Sequence, residues 1–142
     1  MSVPRRRFVI DTNVLVSALL TPAGHSRQAF DKANRNGFVL QSEETFAELE
    51  DVIYRERFDD YVTDEERARF LADLLAKTVF VVPSERVAAC SDPDDDRFLE
   101  LALGGDAAFV VTGNLDDFPP SPWRGIRILP PASFLDADVS VL

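Results

Sequence analysis

Short apolar segments alternate along the chain with segments of helical periodicity. Strands are predicted where apolar or β-branched runs end at turn residues, over residues 8–10, 38–40, 78–82, 107–112 and 125–129. Helices are predicted between the strands, over residues 14–20, 26–35, 42–58, 95–103 and 132–135, and after a capping box that begins at Thr63. Because continuously apolar strands separated by helices are typical of a parallel sheet, we expect an α/β fold. The predicted architecture is a three-layer α/β/α sandwich with a central, mainly parallel sheet and helices on both faces.

Length and composition predict one domain over residues 1–142. A chain of 142 residues, 46% hydrophobic and 28% charged, can bury a core without disulfides or a structural metal. No apolar run approaches the roughly 20 residues of a membrane span, and the basic N-terminus lacks a secretory signal. A cytoplasmic protein without membrane association is therefore expected. The single cysteine, Cys90, excludes an internal disulfide, and with one histidine, His25, it cannot build a zinc site.

The charge balance excludes a protein that binds nucleic acid by electrostatic attraction alone. The chain has 15 Lys and Arg against 25 Asp and Glu, a net charge of -10, which is the wrong sign for binding a phosphate backbone. A nuclease that works through a bound cation is compatible with this charge, because its active site must be acidic before the metal arrives.

Acidic and amide side chains follow two of the predicted strands. Asp11 ends the first strand, and Asn114 and Asp116 follow the strand over residues 107–112. Because parallel sheets bind ligands beyond the carboxyl ends of their strands, the two turns are candidate walls of one site. A purely structural interpretation of Asp11 stays open, since Asp-Thr-Asn is also common turn and N-cap chemistry.

Two further acids begin a predicted helix. Asp95 is predicted to lie on its apolar stripe, because Leu99 and Ala102 follow at i+4 and i+7. A carboxylate buried in this way needs a metal or another partner. Asp92 precedes Pro93 and is equally well explained as an N-cap.

The third predicted helix offers Glu48 and Glu50, which flank its apolar stripe on opposite sides, so periodicity does not choose between them. With Asp11, Asp95 and Asn114, a glutamate here would supply hard oxygen ligands, which suit Mg²⁺ or Mn²⁺ and not zinc. A cation held by such ligands can activate water and neutralise charge that develops on a phosphodiester.

Two other enzyme classes do not fit. A phosphatase that uses a strand-end aspartate as nucleophile needs a second aspartate two residues later, where Asn13 stands. A nucleotide hydrolase of the P-loop type needs a glycine spacing and a lysine that the Gly104-Gly105 pair lacks.

Four segments carry a family resemblance: VIDTNVLVSALL, SEETFAELEDVIYRERF, CSDPDDDRFLELAL and FVVTGNLDDFP, in that order and followed by GIRILPPASFL. Together they resemble PIN-domain proteins, in particular the toxin components of bacterial toxin–antitoxin systems, which are VapC-like ribonucleases. The resemblance covers nearly the whole chain, and its specificity lies in the ordered set of segments. It implies that the three-layer sandwich is PIN-like.

The resemblance also implies a set of catalytic, metal-binding acids. Asp11 matches the family's first metal-binding aspartate, and Glu48 matches the glutamate of the ELxxVI-type helix. Asp95 matches the aspartate that is separated from the FLELA run by two residues. By this resemblance, Glu48 is preferred to Glu50.

The resemblance shows one departure from the family pattern. The family's fourth acid usually follows the Thr-Gly turn directly, where this chain has Asn114, and Asp116 or Asp92 could compensate as metal ligands. Three residues match positions that orient the acids or the attacking water: Thr12, Asn13 and Thr112. The basic run Arg5, Arg6 and Arg7 has two interpretations, contact with RNA phosphates and a solvated start of the first strand, of which charge patterning favours the second.

The activity implied by the resemblance is that of a metal-dependent endoribonuclease that uses Mg²⁺ or Mn²⁺ and leaves a 5′-phosphate and a 3′-hydroxyl. The implied partners are an RNA substrate, a small antitoxin whose tail occupies the acidic groove, and a second copy of the chain in a homodimer. Exposed Phe, Leu and Val residues of the first helices could provide the dimer surface, although the sequence does not locate that interface. The alternative is a catalytically degenerate PIN-like domain that binds RNA or protein without cleavage, for which Asn114 is the best argument.

Overall fold

The computed structural model describes residues 6–139, and a five-stranded parallel sheet forms their centre. The strands are β1 (Arg6–Ile10), β2 (Gly37–Gln41), β3 (Thr78–Phe80), β4 (Phe109–Val111) and β5 (Arg127–Leu129). They lie in the order β3-β2-β1-β4-β5, and every neighbouring pair is parallel. The strand order reverses between β1 and β4, which is where open α/β sheets bind ligands.

Six helices cover this sheet within residues 6–139. They are α1 (Thr12–Leu20), α2 (His25–Asn36), α3 (Glu43–Ile53), α4 (Asp64–Ala76), α5 (Asp96–Gly104) and α6 (Pro131–Asp136). Along β1, Phe8 and Ile10 join the apolar cluster with all helices except α5, whereas Val9 joins the cluster with α5. The predicted three-layer α/β/α architecture is thus confirmed. None of these helices is long and apolar enough to cross a membrane.

The third helix is shorter than predicted. The sequence pattern predicts one helix over residues 42–58, but α3 ends at Ile53 and a separate 3₁₀ turn covers Glu56–Phe58. The break coincides with the side chain of Arg67 on α4, which donates hydrogen bonds to the carbonyl oxygens of Ile53 and Arg55. Tertiary contacts therefore end a helix that the local pattern would continue.

Strands β3, β4 and β5 span three residues each and are shorter than predicted. Around β4 the apolar run extends beyond the strand, because Ala107 and Thr112 are buried without belonging to it. The sequence pattern does not distinguish residues that pair in a strand from buried residues beside the strand. The predicted bounds therefore include both kinds of residue.

The expected apolar dimer surface on the first helices is wrong. Val14, Leu15 and Leu19 of α1 and Phe30 of α2 are all buried in the core. Within residues 6–139, the exposed large hydrophobic side chains lie elsewhere: Tyr54, Tyr61, Leu75, Phe80, Val82 and Leu115.

Candidate active site

Asp11 lies at the carboxyl end of β1, beside the point where the strand order reverses. Its backbone N–H donates to the carbonyl oxygen of Val111 on β4 at 3.0 Å. One carboxylate oxygen, Oδ1, caps α1 by accepting from the Val14 N–H at 2.9 Å, and Oδ2 accepts from the Thr112 hydroxyl at 2.5 Å. The side chain is therefore an N-cap and also a buried carboxylate, only 3% exposed.

The negative charge of Asp11 is only partly stabilised by its surroundings. Burial raises the pKa of its carboxyl, and the negative charge of Glu48 raises it further. The hydrogen bonds from Thr112 and Val14 act in the opposite direction without cancelling the rise. A cation at this point would remove the penalty, since it favours the ionised form.

Thr112 joins the two strand ends. Its hydroxyl donates to Asp11 and accepts from the backbone N–H of Asn114 at 3.0 Å, and its side chain is fully buried. The other two predicted supporting residues differ in exposure, because Thr12 is buried in α1 and Asn13 is exposed. Asn13 contributes a backbone hydrogen bond to Asp11.

Asp95 is half-buried close to Asp11, but its local structure differs from the prediction. Pro93–Asp95 forms a 3₁₀ turn, and α5 begins one residue later than predicted, at Asp96. The acid of this segment that is buried against the apolar layer is Asp96, 8% exposed, whose Oδ1 accepts from the backbone N–H groups of Ala89 and Cys90. Asp95 is only half-buried, so its expected place on the apolar stripe holds in part, and Asp96 occupies the buried position.

The charges around Asp95 define the acidic cluster. Burial, and after it the negative charges of Asp92, Asp11, Asp117 and Glu48, together raise the pKa of its carboxyl to about 6. Four segments that are distant in sequence thus bring carboxylates to one end of the sheet. Mutual repulsion of this kind is typical of sites that hold a cation or share a proton.

Asp117 is a member of this cluster that the sequence reasoning missed in favour of Asp116. Asp116 is exposed, whereas Asp117 is half-buried and accepts hydrogen bonds from the hydroxyl of Ser91 at 3.1 Å and from its backbone N–H at 2.9 Å. The 3₁₀ turn Leu115–Asp117 turns the chain so that residue 117, and not 116, faces the segment before α5. Asn114 is exposed, and no described contact brings its side chain to the acids.

Asp92 combines both of the interpretations that the sequence left open. Its Oδ1 accepts from the Asp94 N–H at 2.9 Å and so caps the 3₁₀ turn before α5. Its negative charge also raises the pKa of Asp95. The carboxylate is exposed, so it stands at the rim of the acidic cluster.

Glu48 reaches the cluster from α3, whereas Glu50 is exposed on another side of the helix. The charge of Glu48 acts on both Asp11 and Asp95. Its Oε2 accepts a hydrogen bond from Nη1 of Arg97 at 2.7 Å. Sequence reasoning did not single out Arg97, because an ion pair between side chains 49 positions apart leaves no local pattern.

The donor chemistry of the cluster fits a hard divalent cation. Its side chains offer carboxylate oxygens, which suit Mg²⁺ or Mn²⁺, and their mutual repulsion would be relieved by a positive charge. As the side chains stand in residues 6–139, no three Asp, Glu, His or Cys groups come close enough together to ligate one ion. Side chains would therefore have to move before three of these acids could ligate one ion. Glu48 is the acid that is already paired with a positive side chain, that of Arg97.

Arg6 and Arg7 lie far from the acids. Arg5 lies outside the described residues, and Arg6 and Arg7 occupy the start of β1, about 13 to 17 Å along the strand from Asp11. Nη1 of Arg7 donates to the carbonyl oxygen of Gly105 at 3.1 Å. Arg7 therefore has a contact within the fold at the end of the sheet opposite the acidic cluster.

The raised pKa of Asp95 predicts how the stability of the metal-free protein depends on pH. Because the ionised carboxylate is less favourable in the folded than in the unfolded chain, stability should increase as the pH falls through about 6. The effect should be on the order of 1 kcal/mol, since solvent reaches part of this carboxyl. Urea unfolding in EDTA at about pH 5 and pH 7 measures it, and Asp95→Asn should reduce the difference. An identical pH dependence in the variant would contradict the assignment.

Comparisons with known proteins are consistent with this fold. Residues 7–116 match the family described as PIN domain. An uncharacterized protein of Methanocaldococcus jannaschii is 28% identical over 112 residues, which span 78% of this chain and 72% of that protein. A chain of VapBC2 from Rickettsia felis, solved bound to a DNA fragment from its promoter, is similar with a TM-score of 0.56 and 14% identity, covering 86% of this chain and 96% of that one. PAE2754 from Pyrobaculum aerophilum is similar with a TM-score of 0.54 and 12% identity, covering 96% of this chain and 97% of that one.

Proposed function

The chain belongs to the PIN-domain family, and on this premise we propose that it is a metal-dependent endoribonuclease that hydrolyses RNA phosphodiester bonds. PIN domains are generally metal-dependent nucleases. One observation carries the proposal for this chain: carboxylates from β1, α3 and the turn before α5 lie near enough to raise the pKa of Asp11 and Asp95. An acidic cluster at the reversal point of a parallel sheet is a natural cation site.

Asp11, Glu48 and Asp95 are the residues that would hold the cation. When bound, Mg²⁺ or Mn²⁺ would supply a Lewis acid for the phosphate and lower the pKa of an attacking water. Thr112 and the Val14 N–H fix both oxygens of Asp11 by hydrogen bonds, so its orientation is set before any ligand arrives. Asp92 and Asp117 add negative charge at the same place.

The negative charge of the site supports the proposal of an antitoxin partner. An acidic cluster attracts a basic side chain, and an Arg or Lys from a small antitoxin protein would pair with it well. The fold shared with a chain of VapBC2 supports a place in a toxin–antitoxin pair. We extend the proposal to a cytoplasmic protein that forms a homodimer, with RNA as substrate.

A second candidate function is binding of RNA or protein without cleavage. Two observations favour it: Asn114 stands where the family pattern has an acid, and Glu48 is already paired with Arg97. Under this alternative the acidic cluster binds no catalytic metal.

RNA cleavage by the purified protein tests the proposal against this alternative. Single-stranded and structured RNA are incubated with the protein in EDTA, Mg²⁺ or Mn²⁺, and the products are resolved on a denaturing gel. We expect cleavage with either metal and none in EDTA. Absence of cleavage under all conditions, together with absence of metal binding, would establish the non-catalytic alternative.

A further inference from the structure

A guanidinium group stands among the acids of the candidate site. Arg97, in the first turn of α5, donates from Nη1 to Oε2 of Glu48 at 2.7 Å. Its Nη2 lies farther from two other acids, 3.4 Å from Oε1 of Glu44 and 3.7 Å from Oδ1 of Asp94. The pair with Glu48 is therefore the closest of the three contacts.

The environment of Arg97 is partly withdrawn from water. Its side chain is 21% exposed, and that of Glu48 is 33% exposed, whereas Glu44 and Asp94 are 60% and 85% exposed. Within the described residues, its buried Nε has no hydrogen-bond partner. Water and salt screen such an ion pair less than one at the open surface, so Arg97 and Glu48 interact more strongly.

This pairing explains an apparent contradiction in the site. Glu48 acts electrostatically on Asp11 and Asp95, yet no three acids of residues 6–139 are gathered closely enough to ligate one ion. The carboxylate of Glu48 is paired with the guanidinium of Arg97 instead. The guanidinium thus compensates a charge that a bound divalent cation would otherwise compensate.

We propose that Arg97 is a positioning residue that holds Glu48 in the metal-free protein and releases it when a divalent cation binds beside Asp11 and Asp95. The inference rests on the proposed metal-dependent function. Arg97 opposes cation binding in two ways, because it occupies an oxygen that would ligate the ion and because its positive charge repels the ion. The cation concentration needed to fill the site is therefore higher than the acids alone would require.

An opposite role for Arg97 gives an opposite result. A residue that orients a ligand for its metal strengthens metal binding, and its removal weakens affinity by roughly 10- to 100-fold. A residue that competes with the metal weakens binding, and its removal strengthens affinity. The sign of the change in Mn²⁺ affinity therefore separates the two roles.

Titration of Mn²⁺ alone into the full chain, followed by isothermal calorimetry, measures this sign. We expect Arg97→Gln to bind Mn²⁺ about tenfold more tightly than the wild type, since a nearby positive charge is lost and Glu48 is freed. Arg97→Lys keeps the charge without the planar fork and should bind with intermediate affinity. Arg69→Gln is the matched control, because it removes the same charge from an exposed ion pair with Glu65 on α4, and its affinity should be that of the wild type.

The effect should depend on Glu48. In a Glu48→Gln background, the part of the gain that comes from freeing Glu48 should disappear, and only the part that comes from the lost positive charge should remain. Thermal unfolding of each variant in EDTA checks that it is folded. If Arg97→Gln does not fold, the Mn²⁺ affinity of Arg97→Lys is compared with that of the wild type instead.

Each outcome has a definite meaning. Tighter Mn²⁺ binding, with a smaller gain in the Glu48→Gln background, supports the inference. Unchanged or weaker binding in Arg97→Gln, or weaker binding in Arg97→Lys, overturns it, and the proposed nuclease function still stands if the wild type binds Mn²⁺ and cleaves RNA. Absence of Mn²⁺ binding in both the wild type and Arg97→Gln overturns the inference and the proposed metal-dependent function together.

Discussion

Asp11→Asn should lower metal-dependent RNA cleavage by at least about 100-fold, because it removes an ionised ligand from a cation that stabilises the transition state by several kcal/mol. The fold should survive the change. The Asn side-chain oxygen can accept the Val14 N–H that Oδ1 accepts now, and its amide can donate to the Thr112 hydroxyl. Loss of a buried charge whose pKa is raised should leave the metal-free protein as stable as the wild type or about 1 kcal/mol more stable.

The test compares cleavage rates at saturating Mn²⁺ and free energies of unfolding in EDTA. Asp106→Asn is the matched control, because Asp106 is an exposed aspartate just before β4, at the end of the sheet opposite Asp11. Its φ of 58° is a backbone conformation that asparagine adopts readily. Cleavage at the wild-type rate by Asp11→Asn would refute the assignment of Asp11. A marked loss of stability would show that its capping role needs the charge.

The architecture follows from the sequence because its signals are local. The buried residues of β1 and β4 form continuous apolar runs. The segments that precede α3 and α4 carry N-caps at Ser42 and Thr63, whose hydrogen bonds the structure contains. Each signal depends on residues only a few positions apart. Element type could therefore be predicted, whereas element ends that depend on contacts between helices, such as Ile53, could not.

The candidate site depends on longer-range geometry, and prediction from sequence is correspondingly weaker there. The position of Asp11 follows from where β1 ends, which the apolar run marks clearly. The exposure of Asp95 does not follow from the sequence pattern. Asp95 ends a 3₁₀ turn that begins at Pro93, and Asp96 is the acid that is buried.

Contacts across the fold account for the remaining residues of the site. Arg97 meets Glu48 across 49 positions, and Ser91 meets Asp117 across 26. Neither pair has a local signature, and each joins a segment near α5 to another part of the chain. These contacts determine which acids approach one another, so the chemistry of the site is a property of the tertiary structure.

The placement of Glu48 also depends on what holds α3, and here Arg67 has the largest expected effect on stability. Its side chain on α4 is 2% exposed, and its Nε donates to the carbonyl oxygen of Ile53 at 2.6 Å. Its two terminal nitrogens reach Asp64 and Asp59 at 2.9 Å, and the guanidinium lies 5.6 Å from the ring centre of Tyr54. One side chain thus closes the C-terminal end of α3 and fixes the loop that follows.

Arg67→Ala should destabilise the protein by about 3 to 5 kcal/mol, because it opens a cavity and leaves the Ile53 carbonyl without its partner. Arg67→Met fills most of the volume but not the hydrogen bond, and should cost about 1 to 3 kcal/mol. Arg69→Ala, two residues away on the same helix, breaks only an exposed pair with Glu65 and should cost less than about 1 kcal/mol. Urea unfolding of the three variants at one pH measures these differences. If Arg67→Ala and Arg69→Ala have similar free energies of unfolding, the guanidinium of Arg67 does not hold α3, and the end of that helix must be fixed by its apolar contacts alone.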